Sequence, residues 1–341
     1  MDNILEKMVK GEKSEELSRL NAISIVNNLF SDLLERERDI LARRFGLSGV
    51  KGETLEKIGQ MHKLTRERVR QIEAASIRKI KKLENLEEFL SSLRLIINQL
   101  LKEHGGMLRK DYLLDILTVY CLEVGKHEGD SVTEDKKAIY RNHFNFLISK
   151  LLEDGFDIVK DSDKFNAYYK EKGQDISNLE ALANDLVAKV ESVQKTLTTE
   201  DILDLIKKLN SYSEETVITT DTDLTTVFKS EAFADKAEII NGNKVLYSLL
   251  QAVKSVDQNK YGHWGKTDWQ EIKPKTINDK IYLVLKNEGK PMHFTEIATK
   301  INEIKFDKKN ANPATVHNEL ILDGRYILTG RGMYGLKDWE K

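Results

Sequence analysis

Apolar positions recur with helical period along most of the chain, and the sharpest instance lies between residues 54 and 82. Leu55 and Ile58 sit three apart behind Thr54, and Val69, Ile72 and Ile80 fall at helical spacing behind Thr65. The pattern predicts two helices joined through His62, Lys63 and Leu64, each opened by a capping threonine. On the second helix Arg66, Glu67, Arg70, Gln71 and Ala74 share the face opposite the apolar one. Such a face suits a DNA major groove. Arginine pairs with guanine O6 and N7, glutamine with adenine, and glutamate accepts from the cytosine amino group. A structural helical pair with a solvated charged face would show the same pattern, so the period alone leaves both readings open.

Around this hairpin the pattern predicts further helices. One runs through LSRLNAISIVNNLF, after a leading helix frayed at its start. Another is capped by Ser31 or Asp32, packs Leu34, Ile40, Leu41 and Phe45 inward, and ends at Gly46. After the hairpin, LEEFLSSLRLIINQLLKEH continues as helix to Gly105 and Gly106. From there one unit recurs. Its clearest copy is the last: helices INDKIYLVLKNEG and HFTEIATKINE, then a helix from Pro313 capped by Asn312, then strands RYILTG and MYGLKDW. That is the order of a winged helix. A middle copy ends in KYGHWGKTDW, parallel to RGMYGLKDWE, and a more diverged first copy covers HFNFLISKLLEDGFDIVKDSDKFNAYYK. The Thr-rich, acidic segment SYSEETVITTDTDLTTVF reads as an insertion loop or edge strand. The expected fold is mainly α, a helix-turn-helix module over 1–92 followed by winged units over 93–176, 177–273 and 274–341, with small β-wings.

Composition narrows the chemistry. With 341 residues, 40% hydrophobic and 32% charged, the chain suits two to four small domains. The net charge is only −2, but residues 34–82 hold 14 Lys and Arg against 7 Asp and Glu, so a basic module sits on an acidic remainder. The single cysteine, Cys121, excludes an intrachain disulfide and a cysteine zinc site, and its apolar setting marks it as a core residue. No phosphate loop, dinucleotide fingerprint or zinc-protease motif occurs. The seven histidines are scattered; His127, near Glu128 and Asp130, lies in a polar loop. No enzyme activity, cofactor or metal is expected. His263 and Trp264 read as packed wing residues before base-stacking ones. The N-terminus lacks a signal-peptide core, and no apolar run approaches the ~20 residues a bilayer needs, so no membrane association and a cytoplasmic location are expected.

The text LERERDILARRFGLSGVKGETLEKIGQMHKLTRERVRQIEAASIRKIKKL closely resembles region 4 of the sigma-70 family of bacterial sigma factors, which reads the promoter −35 element. RERDILARRFGL, TLEKIG and TRERVRQIEAASIRKI carry the resemblance, over residues ~31–83. It implies that Arg66, Glu67, Arg70 and Gln71 contact base edges, that Thr54, Thr65, Arg43, Arg44 and Arg68 contact phosphates, and that the partners are double-stranded DNA and the flap of the RNA polymerase core. Late-helix arginines such as Arg43 and Arg44 also complement a helix dipole. The C-terminal text DKIYLVLKNEGKPMHFTEIATKI and PATVHNELILDGRYILTGRGMYGL resembles the HARE-type helix-turn-helix domain, found in the delta subunit of RNA polymerase, in chromatin proteins and fused to DNA-modifying enzymes. There Thr315, Asn318, Arg325 and Arg331 are candidate secondary DNA contacts. No aromatic-rich, basic block like sigma region 2 is found, so promoter opening by the sigma mechanism is not expected unaided. Two alternatives stay open: a delta-like or anti-sigma-like factor that occupies polymerase without reading sequence, and an accessory specificity subunit of a DNA-modifying system. The oligomeric state is left open.

Overall fold

The computed structural model describes residues 21–124, 133–152, 155–214, 222–233 and 235–340. The leading helix expected before residue 21, the His127 loop and residues 215–221 of the Thr-rich segment lie outside these residues. The end of that segment forms a short helix, α10 (Thr225–Phe228). The described residues form two compact units. One draws on 1–180 and 213–252, the other on 181–212 and 253–341. The stretch 177–273, predicted as one winged unit, is thus divided between them.

The first unit opens with α1 (Ala22–Leu29), capped by the Asn21 side chain, which accepts from the Ile23 and Ser24 amides. Next comes α2 (Glu35–Phe45), stopped by Gly46 at φ 66°, where the left-handed region favours glycine. The start of α2 differs from the expectation. Neither Ser31 nor Asp32 caps it; the cap position is Leu34, whose amide donates to the Glu37 carboxylate at 3.0 Å. Leu34 is not inward but 68% exposed, because its extended backbone carries it out of the helix. The hairpin follows as α3 (Leu55–His62) and α4 (Arg66–Lys81). His62 belongs to α3, so the connection is Lys63–Thr65, with Lys63 left-handed at φ 56°.

Two stretches after it share one topology, and the stretch between them shares part of it. In the first, α5 (Leu86–Glu103), β1 (Met107–Arg109), α6 (Lys110–Val124) and α7 (Glu134–Leu151) precede β2 (Phe156–Val159) and β3 (Tyr168–Glu171). Their antiparallel sheet has the order β1-β3-β2. In the last, α13 (Ile277–Glu288), β6 (Met292–His293), α14 (Phe294–Ile304) and α15 (Pro313–Leu322) precede β7 (Tyr326–Gly330) and β8 (Met333–Leu336), in the same order, β6-β8-β7. Asn312 caps α15 and Pro313 opens it, as the sequence predicts. The middle copy has α8 (Ser177–Val193) and α9 (Thr199–Lys207), then α11 (Ala237–Gly242) and α12 (Lys244–Ala252), then β4 (Val256–Gln258) and β5 (Trp264–Lys266). Its first strand shrinks to one bridge, Leu197 to Trp264. The helix α12 belongs to the first unit. There Ser248 donates to the Met107 carbonyl, and Lys244 meets Glu103 at 3.1 Å with both side chains buried.

The wing repeat seen in KYGHWGKTDW and RGMYGLKDWE has a packing cause. Trp264 is buried, donating its indole N–H to Thr199, and Tyr334 is buried at the matching place. The glycine after each lies under the tryptophan four residues on. A Cβ at Gly265 would meet Trp269 at 2.8 Å, and one at Gly335 would meet Trp339 at 3.1 Å. The glycines are therefore needed for close approach of an indole to the strand. Gly265→Ala should cost about 1–3 kcal/mol, with Gly335→Ala milder. Tryptophan fluorescence during urea unfolding checks this, since all three tryptophans lie in the second unit. Midpoints for both variants equal to wild type would contradict the packing account.

Candidate nucleic-acid interface

The hairpin is built on a small inner cluster. Ile40 on α2, Ile58 on α3 and Val69 on α4 are buried together, with Leu55, Leu64 and Ile72 packed against them. Both predicted caps form. The Thr54 hydroxyl accepts the Lys57 amide and the Thr65 hydroxyl accepts the Arg68 amide, each at 3.2 Å. Capping sets the start of each helix and leaves the hydroxyl protons of these exposed threonines available to an outside acceptor. Gly59 lets the two helices close: a Cβ there would lie 2.7 Å from the Leu64 carbonyl oxygen.

With Val69 and Ile80 buried, α4 turns its other face to solvent, and Arg66, Glu67, Arg70 and Gln71 are all exposed. The structure thus brings the four predicted base-contact residues onto one open surface. They are partly engaged with one another. Arg70 grips Glu67 through two hydrogen bonds of 2.9 and 2.6 Å, and Arg68 donates to the side-chain amide oxygen of Gln71, Oε1, at 3.2 Å. Hydrogen bonding to Arg70 holds the Glu67 carboxyl below its ordinary range, and the same bond raises Arg70. Both side chains are well over half exposed, so solvent screens the pair and little holds it closed.

Arg43 and Arg44 are placed differently. Half-buried, they bind within the module: Arg43 to Asp39 at 2.8 Å and Glu53 at 3.6 Å, Arg44 to the Glu53 carbonyl at 3.0 Å and Glu73 at 3.4 Å. They belong to an ion-pair frame that the sequence does not announce. Asp39 also holds His62 at 2.8 Å, Arg36 donates to the His62 carbonyl, and Lys79 reaches Glu37 at 2.6 Å. Partners 23 to 42 positions apart leave no periodic signal. Burial raises the Glu37 carboxyl, but the Lys79 ammonium and the Leu34 amide outweigh it and hold the group below its usual range.

The secondary candidates also separate. Thr315 and Asn318 are exposed on α15, and Arg331 is exposed between β7 and β8. Arg325 is tied down. It binds Asp323, donates to the Asn278 side chain at 2.9 Å, and lies over the rings of Tyr282 and Tyr326. It serves the fold of this module, and its guanidinium drives the Asp323 carboxyl far below the carboxylate range. Among the described residues no three His, Cys, Asp or Glu side chains gather as a metal site, and no helix is long and apolar enough to cross a membrane.

The arrangement defines a helix-turn-helix module joined to winged-helix repeats. Comparison with known proteins makes this specific. Residues 29–82 match the family described as Sigma-70, region 4. Residues 275–339 match the HARE-HTH family, whose description names ASXL and a restriction endonuclease HTH domain. The chain therefore carries a sigma-70 region 4 segment and a HARE-type segment. Similar curated proteins include RNA polymerase sigma factor SigA of Microcystis aeruginosa, 44% identical over 72 residues, which is 21% of this chain and 17% of the relative. Sigma factor SigA1 of Synechococcus elongatus is 48% identical over 56 residues, 16% of this chain and 14% of the relative. The chain thus spans under a fifth of the length of these relatives. No solved structure matches.

Gly59→Ala should lower stability by about 1–3 kcal/mol, because α3 must move off the Leu64 carbonyl. Gly242→Ala, where a Cβ would meet nothing within 4 Å, is the control. Chemical unfolding followed by far-ultraviolet circular dichroism decides, and equal loss in both variants would contradict the close-approach argument.

Proposed function

We propose that this protein binds double-stranded DNA through the exposed face of α4, reads a −35-type promoter element, and acts with RNA polymerase in transcription initiation or its regulation. The observation that carries the reading is one open helix face bearing Arg66, Glu67, Arg70 and Gln71 inside a sigma-70 region 4 segment. Arg66, Arg70 and Gln71 have the donors to read purine edges, and Glu67 the acceptor to read cytosine. Solvent screens the exposed Glu67–Arg70 pair, so a bidentate base contact offsets its opening. Thr54, Thr65 and Arg68 hold phosphates, helped by the positive end of α4. Arg43 and Arg44 must give up internal acceptors to reach phosphate, so their first role is to hold α2 against the loop before α3 and against α4. The names of the relatives support polymerase as partner, and the resemblance to sigma region 4 implies the flap as the contact surface. The four-module division, with boundaries near residues 92, 176 and 273, belongs to the same proposal.

One observation favours a second activity for the last module. The open face of α15 is uncharged and ends in exposed Ile321 and Leu322. That composition fits contact with protein better than contact with phosphate, as in a delta-like polymerase factor.

Fluorescence anisotropy with a duplex carrying TTGACA and a scrambled duplex, at two salt concentrations, tests the reading. Wild type should prefer the hexamer. Arg66→Ala and Glu67→Ala should each remove about 1–3 kcal/mol of that preference. Arg68→Ala should weaken both duplexes equally and reduce the salt slope by about 1. Equal binding of wild type to both duplexes would defeat sequence reading, and no retention by core polymerase in a pull-down would defeat the polymerase role.

A further inference from the structure

In a winged helix the third helix occupies the position that reads DNA in helix-turn-helix proteins. In the first copy that helix is α7, and past its exposed first residues, Glu134 and Asp135, it is packed on two sides. Along one side Tyr140, Phe144, Leu147, Ile148 and Leu151 are buried. On the same copy's α6, Asp111 and Asp115 hold Arg141. The other side is also occupied. Ile139 lies where a Gly49 Cβ would come within 2.8 Å of it, and the Asn142 amide donates to the carbonyls of Gly46 at 2.7 Å and Val50 at 3.2 Å. Phe146 meets Phe30 edge-on at 5.6 Å and Phe45 at 4.9 Å, and Lys150 lies over the Phe45 ring. Positions 139, 142, 146 and 150 follow spacings of three and four, which is one helix face. A helix apolar on both sides is a helix packed on both sides.

We propose that α7 is not a reading helix but an internal clamp. It holds the turn between α2 and α3, and through it sets the position of α4. The turn needs such a hold. Gly46 and Gly49 both have positive φ, at 66° and 89°, and its carbonyls point to Asn142. Asn142 is thus a positioning residue for the DNA interface, 60 residues beyond the end of the sigma-like segment at position 82. The middle copy follows the same rule, since every side chain of α12 from Lys244 to Leu250 is buried. Of the three third helices, α15 alone keeps an open face among the described residues, with Thr315, Asn318 and Ile321 exposed. The winged repeats before it are scaffold for the reader.

The clamp rests on the reading of α4 as the DNA-facing helix, and the experiment separates the two. Full-length Asn142→Ala and Phe146→Leu would be compared with wild type by amide hydrogen exchange and by anisotropy with hexamer and scrambled duplexes. Exchange in 46–71 should rise about fivefold or more in both variants, while exchange in the second unit stays unchanged. Hexamer preference should fall about fivefold in Asn142→Ala with the salt slope unchanged, since no phosphate contact is lost. A Lys136→Ala, Lys137→Ala variant should keep both preference and slope. Unchanged exchange in 46–71 for both clamp variants would overturn the proposal, as would a flattened salt slope in the lysine variant, which would make α7 a DNA contact. If wild type shows no hexamer preference, DNA reading fails, and the exchange arm still decides the clamp.

Discussion

Burial is scarce where this protein carries its most specific surface. The inner cluster of the helix-turn-helix is Ile40, Ile58 and Val69, with Leu55, Leu64 and Ile72 packed against it, a small core for three helices. The module therefore draws burial from outside itself. Phe146 from α7 closes on Phe45 at the end of α2 and on Phe30 just past α1. A small module that must keep one face polar gains stability by packing its back, and the first winged repeat supplies the surface.

Charge follows the same division. Cations on the inner side of the module are paired: Arg43 and Arg44 with Asp39, Glu53 and Glu73, and Lys79 with Glu37. The pairs with Glu53, Glu73 and Glu37 tie α2 to the loop before α3 and to α4, over separations no helical period records, while Arg43–Asp39 lies within α2. On α4 the Arg70–Glu67 pair lies in solvent, where it is weak and exchangeable. One helix thus uses its charges in two ways, fixed where they meet α2 and loose where they face outward.

The elements are legible in the sequence where local rules decide them. Thr54, Thr65, Gly46 and the Asn312–Pro313 start each act within one turn of helix, and the structure places each as the sequence predicts. The wing repeat is legible because an indole over a strand demands glycine at a fixed spacing, and WGKTDW and YGLKDW keep it. The start of α2 is not legible this way, because the cap there comes from Glu37 reaching back and not from a residue ahead of the helix. Arg325 reads as open to DNA because nothing in the sequence signals that Asn278, 47 positions earlier, holds it. The double-faced composition of HFNFLISKLL is visible in the sequence, but its second partner is a matter of tertiary placement. The roles of Arg66, Glu67, Arg70 and Gln71 rest on the resemblance as much as on geometry, since an open charged stripe alone also describes a solvated helix.

The central claim is that α4 reads bases. Selection of duplexes from a randomised pool by the full chain measures this without presuming the target. The account predicts enrichment of one short motif, lost when Arg66 and Gln71 are both replaced by alanine while total retention of DNA falls much less. A pool that binds yet yields no motif, or a motif that survives the double substitution, would contradict it.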